Sequence, residues 1–178
     1  MSTTIPDEWF EAFGKIAYGY ASVEVGMKIC LAGALNISSL KAFTIAAPYS
    51  AYQLNQVVKA VARDHLKPMW GDDLCKLVNR WEGFTAMRTA VAHHRWRPGT
   101  RPGTFRPTYT ETRTGHALTK GFDEGEKDYS LDEMKEIADA LHALNEDVKK
   151  FLNKSGLFAI IDENDTLKSD SSASGDVT

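Results

Sequence analysis

The sequence predicts an all-α fold: a four-helix bundle with one short extra helix and a β-hairpin between the third and last long helices. Three observations carry this. Four stretches repeat apolar residues at the three-to-four-residue interval that places them on one helical face. Glycine, proline and polar runs punctuate the chain between those stretches. One threonine-rich segment alternates instead, which is the period of a strand. A chain of 178 residues, 43% hydrophobic and 25% charged, is long and apolar enough for a single domain with a substantial core, which excludes a disordered chain.

Asp7 caps a first helix predicted to run to about Leu35, with Phe10, Phe13, Ile16, Ala17, Tyr20, Met27 and Leu31 on one face. Gly14, Gly19, Gly26 and Gly33 lower its helix propensity but admit a close neighbour. "NISS" ends it, and a short helix follows from Leu40 to Ala46, closed by Pro48. Ser50 starts the second long helix, "AYQLNQVVKAVARDHL", whose stripe is Leu54, Val57, Val58 and Val61. "KPMWGDD" reads as a loop, and Asp72 or Asp73 caps a third long helix from Leu74 to about His94. "RPGTRPGTFRP" cannot stay helical, because each proline restricts itself and the residue before it. "TFRPTYTETRTGHALTK" reads as a two-stranded hairpin turning near Thr114-Gly115, and "GFDEGEKD" as a loop. The last helix opens with a capping box, Ser130 with Glu133, and Tyr129 and Met134 are spaced for a hydrophobic staple. The helical domain is expected to occupy residues 1–153, and the tail over 154–178, a short apolar patch followed by a polar run, to be largely disordered.

The opening "MSTTIPDEWF" lacks the basic start and apolar run of a signal peptide, and no stretch approaches the roughly 18 apolar residues of a membrane span. Cys30 and Cys75 lie among apolar residues and read as reduced core cysteines. These features point to a cytoplasmic protein. The net charge of −3 is unevenly spread: 83–110 holds five arginines and no acid, so the remainder carries −8. A basic island on an acidic body suits an anionic partner, or arginines paired with acids from elsewhere in the fold.

Within the third helix Leu77, Trp81, Phe84 and Arg88 lie within about 60° of one another, so Arg88 projects from the middle of an apolar stripe. A guanidinium there must be paired, line a cleft or face an interface. Glu24, on the apolar side of the first helix, offers an ion-pair partner. His93 lies about 140° from Arg88 on an ideal helix, and His94 about 120° away in the other sense, so contact with either depends on the reach of the arginine. A metal site at His93, His94 and His116 is disfavoured, since adjacent histidines of a helix do not easily ligate one ion and no H-x3-H or C-x2-C spacing is present. "RPGTRPGT" lacks the pattern of a phosphate-binding glycine loop.

"FTAMRTAVAHHRW" resembles the R-x(4–6)-H signature of the HEPN superfamily, in which many bacterial members carry Arg-Asn-x-x-Ala-His followed by Trp or Tyr. Arg88, Ala92, His93 and Trp96 match it, and Thr89 stands where the family most often has asparagine. The opening helix with Glu24 and the helix after "YSLDEMKEIADAL" are similar to the family's as well, so the resemblance covers roughly residues 7 to 153. It implies a HEPN-like helical bundle, a homodimer whose two motifs meet at the interface, and a metal-independent endoribonuclease of toxin–antitoxin or other defence systems, with no cofactor. Under it Arg88 and His93, or His94, would be catalytic, with Glu24 and Thr89 supporting them. A histidine would take the proton of a ribose 2′-OH, and a fixed arginine would stabilise the charge on the phosphoryl oxygens. Arg95, Arg97, Arg101 and Arg106 would hold the RNA backbone, and Trp96 would stack on a base or serve as packing. The other reading is a non-catalytic HEPN-like helical domain that binds a partner protein, an antitoxin for example, or nucleic acid.

Overall fold

The computed structural model describes residues 4–108, 111–113, 116–118 and 127–161. It is mostly helical. The long helices are α1 (Asp7–Leu35), α3 (Ala51–His65), α4 (Pro68–Glu82) and α6 (Leu131–Ser155), and the shorter ones are α2 (Ser39–Ala46) and α5 (Thr85–His93). Strands β1 (Arg95–Pro98) and β2 (Phe105–Thr108) pair antiparallel, as do β3 (Glu111–Arg113) and β4 (His116–Leu118).

The chain divides into two compact units, Met1–Tyr20 with Phe84–His142, and Ala21–Gly83 with Ala143–Thr178. In the first unit, Trp9, Phe13, Ile16 and Tyr20 of α1 are buried, as are Met134, Ala138 and Leu141 of α6. Gly19 lets α6 approach closely, since a Cβ there would stand 3.0 Å from the Cβ of Leu141. In the second unit α3 packs on α4. Ser50 caps α3 with a capping box to Gln53, and a Cβ at Gly71 would stand 2.6 Å from the Ala62 carbonyl.

Four elements differ from the sequence expectation. The third long helix is two helices: Gly83 and Phe84 interrupt it, where glycine's low helix propensity gives way and Phe84 sits at φ −93°, ψ −4°. α4 also starts earlier, because "KPMWGDD" is not a loop. Pro68 occupies the first helical position, where a missing N–H costs nothing. The proline-rich run forms a hairpin of its own, β1–β2, and β3 and β4 pair on either side of 114–115, where the sequence placed the turn. The segment after α6 folds back as a further helical turn over 157–161, with Leu157 and Ile161 buried, so the packed part of the chain extends past residue 153. Gly156, at φ +76°, makes the turn that allows it. The remainder of the predicted tail, 162–178, lies outside the described residues.

The capping box of α6 forms as its spacing predicted: the Ser130 N–H donates to Glu133 at 2.8 Å, and the Glu133 N–H to Ser130 Oγ at 3.2 Å. Among the described residues no single helix is long and apolar enough to cross a membrane. Cys30 is buried and Cys75 half-buried, and both are free thiols.

Candidate functional site

The site is built at the C-terminal end of α5. The break at Gly83–Phe84 resets the helical phase, so Met87 and Ala90 form the buried face of α5 and Arg88 is half-buried beside them. The Arg88 guanidinium carbon lies 5.9 Å from the centre of the Tyr20 ring, and the Tyr20 hydroxyl is hydrogen-bonded to Thr85 Oγ1 at 3.1 Å. A face-on aromatic ring attracts a cation and restrains it. From that position Arg88 Nη1 reaches His93 Nε2 at 3.3 Å. The arginine's length thus spans the angular gap that an ideal helix puts between them. Guanidinium nitrogens only donate, so a hydrogen bond at this contact requires the tautomer in which Nε2 accepts and the ring proton is on Nδ1. His93 is exposed, which leaves the pair open to solvent.

The geometry of the helix end is held by Trp96. His94 leaves the helix in an extended conformation (φ −99°, ψ 149°), and two residues later the Trp96 indole N–H donates back to the Ala90 carbonyl at 3.2 Å. The Trp96 ring sits 4.8 Å from Phe13, 5.9 Å from Tyr129 and 6.2 Å from Trp9. Trp96 is therefore packing, and of its two expected roles base stacking is not the one its surroundings favour.

The basic run splits into two groups. Asp128, buried between the hairpin and the start of α6, takes most of its loop. Asp128 Oδ2 accepts from the Thr100 N–H at 2.7 Å, from the Thr100 hydroxyl and from the Arg101 N–H at 3.2 Å, and Asp128 Oδ1 pairs with Arg106 Nε at 2.7 Å. The Arg101 guanidinium donates to the Asp128 carbonyl at 3.2 Å. Burial alone would push the Asp128 carboxyl up, but the donors from Thr100, Arg106 and Arg101 outweigh it and hold the group far below the usual carboxylate range. Gly99 is needed at this turn, because a Cβ there would stand 2.7 Å from the Asp128 carboxyl carbon. Arg101 and Arg106, expected to grip RNA, thus have a structural partner inside the fold, with the Arg106 side chain only 12% exposed. Arg95 is exposed and Arg97 half-buried.

Arg88 and Glu24, expected as a possible ion pair, belong to different compact units, and each has partners within its own unit. Glu24 Oε1 takes Lys28 Nζ at 2.8 Å, one turn along α1, while Arg88 takes Tyr20 and His93. Thr89 and His94 are half-buried next to the pair in sequence. Among the described residues no group of three or more His, Cys, Asp or Glu could hold a metal ion, and the side chain of His116 is outside them. Sequence reasoning missed Asp128, Tyr20 and Thr85. The signal for Asp128 was an acid closing the loop that follows an acid-free basic run. Tyr20 was placed on the inward face of α1 but given no task.

Comparison of the chain with models of protein families, with curated proteins and with solved structures finds no match.

Proposed function

We propose that the chain is a cytoplasmic, metal-independent endoribonuclease of the HEPN type, a helical bundle that works as a homodimer, in the manner of a toxin or defence effector. The observation that carries this reading is the contact of Arg88 Nη1 with His93 Nε2 at 3.3 Å on an open helix end. A neutral imidazole whose Nε2 lone pair can be released to accept a proton is the form a general base requires. A phosphodiester approaching the pair draws the guanidinium onto two phosphoryl oxygens and frees Nε2 for the adjacent ribose 2′-OH. The 2′-oxygen then bonds to phosphorus as its proton passes to His93, and the bond to the 5′-oxygen breaks. Arg88 stabilises the charge that builds on the phosphoryl oxygens. A second copy contributes a second pair, whose imidazolium protonates the departing 5′-oxygen. The products are a 2′,3′-cyclic phosphate and a 5′-hydroxyl. In this reading Arg95 and Arg97 hold the RNA backbone.

Support for the homodimer comes from α1, which carries exposed apolar side chains beside its exposed Glu11–Lys15 pair. Opposite its buried face it exposes Phe10, Ala17, Tyr18, Ala21 and Val25, with Phe10 55% and Tyr18 77% accessible. A cluster of exposed apolar side chains on one helix marks an interaction surface. The chemistry is tested with an RNA carrying a single 2′-deoxy substitution at the cleaved nucleotide. That RNA should resist cleavage while the unsubstituted strand yields cyclic phosphate ends; equal cleavage of both would refute 2′-OH attack.

The second reading, a non-catalytic helical domain that binds a protein or nucleic acid, is favoured by one observation: Asp128 and the aromatic cluster absorb Arg101, Arg106 and Trp96. Tight RNA binding without cleavage would support it.

A further inference from the structure

A second cationic feature lies on the other compact unit, where α4 and the later part of α6 border a groove of about 300 Å³. Its apolar lining is aromatic: Trp70 and Phe151 meet edge to face at 6.0 Å, with Leu77 beside them. Four cations rim it, Lys76 and Arg80 from α4 and Lys150 and Lys154 from α6, against two acids, Asp73 and Asp147. The excess is two positive charges. Lys76 is paired with Asp73 at 2.9 Å, and Arg80 and Lys150 share Asp147 at 2.8 and 3.4 Å. All three cations are well exposed, at 73%, 48% and 67%, and exposed ion pairs of this kind are weak, so an arriving anion takes these side chains at little cost.

We propose that this groove binds a nucleoside phosphate, the base against the half-buried Trp70, which packs on the buried Phe151, and the phosphate among Lys76, Lys150 and Lys154. The charge fits, because a phosphate monoester carries nearly two negative charges at neutral pH. So does the lining, because aromatic side chains interleaved with cations are how proteins hold nucleobases without reading sequence. A space of this volume suits one nucleotide, and one strand residue satisfies the same chemistry as a free nucleotide. The inference is independent of the Arg88–His93 pair, which belongs to the other unit.

The test uses the full chain and calorimetric titration with uridine and adenosine 5′-monophosphates, the two nucleosides, inorganic phosphate and a short 5′-phosphorylated oligouridylate. Saturable binding of the monophosphates is expected, about tenfold or more tighter than nucleoside or phosphate alone, and weakening as salt is raised. Lys154→Glu, an exposed change that leaves the melting temperature in place, should weaken it by roughly tenfold. Tighter binding of the oligonucleotide identifies a strand as the ligand; equal binding identifies a free nucleotide. No saturable binding of any phosphate-bearing nucleoside, or equal affinity in Lys154→Glu, overturns the proposal.

Discussion

Asp128 shows how much one side chain can organise at the residue scale. It accepts from Thr100 and Arg101 and pairs with Arg106, and its own side chain is 6% exposed. Asp128→Ala strands the Arg106 guanidinium in a buried place, a change that costs on the order of 3 kcal/mol. Urea unfolding should register that loss; a loss under about 1 kcal/mol would mean the hairpin holds itself. The same residue sets a pH dependence. Its folded carboxyl titrates below the unfolded value of about 3.9, so its contribution is complete above that pH and disappears as the pH falls toward the folded value. Acid unfolding of Asp128→Ala should therefore be flatter below about pH 4 than that of the wild type. The thiols give a second contrast. Burial pushes the Cys30 thiol up to about 12, whereas Cys75 is half-buried. A thiol reagent at pH 8 should label Cys75 first and reach Cys30 only on unfolding. Arg88 and His93 could be singled out from their types and spacing, but Asp128 could not be matched to Arg106. The 21 residues between them are read locally, and only tertiary folding brings the two together.

At the scale of elements, local chemistry was legible where it is complete within a few residues. The box of Ser130 and Glu133 and the extent of α1 are examples. Two opposed signals misled where they compete. The stripe of Leu77, Trp81, Phe84 and Arg88 reads as one unbroken helix, yet Gly83 breaks it, and the break moves Arg88 out of the buried face. Pro68 and Pro107 read as interruptions, yet one opens α4 and the other pairs with Trp96 in a two-stranded sheet, where each strand has a free edge. The α1 glycines also separate by packing. A Cβ at Gly33 would lie 2.7 Å from the Leu157 Cβ and 2.9 Å from its carbonyl oxygen, whereas a Cβ at Gly14 meets nothing within 4 Å. Gly33→Ala should therefore destabilise the chain by displacing the turn over 157–161. Gly14→Ala should stabilise it by roughly 0.5–1 kcal/mol through helix propensity. Thermal melts of the two variants moving in the same direction would contradict this packing.

At the scale of the whole molecule the account rests on two copies of the chain. The outward face of α1 gives the first check. Sedimentation equilibrium should find a dimer for the wild type and a shift toward monomer for Tyr18→Glu, a change at a residue that is 77% exposed. A mostly helical class and the β3–β4 turn were readable from local pattern, while the β1–β2 pairing and the return of 157–161 depend on contacts that no local pattern encodes. The central claim is that Arg88 and His93 together cut RNA, and it is tested most directly by cleavage in EDTA. Wild type, Arg88→Ala, His93→Ala and His94→Ala would be compared, each first checked for an unchanged fold. The account predicts cleavage by the wild type and His94→Ala, and a loss of at least a hundredfold in Arg88→Ala and His93→Ala. Full cleavage by His93→Ala would contradict it.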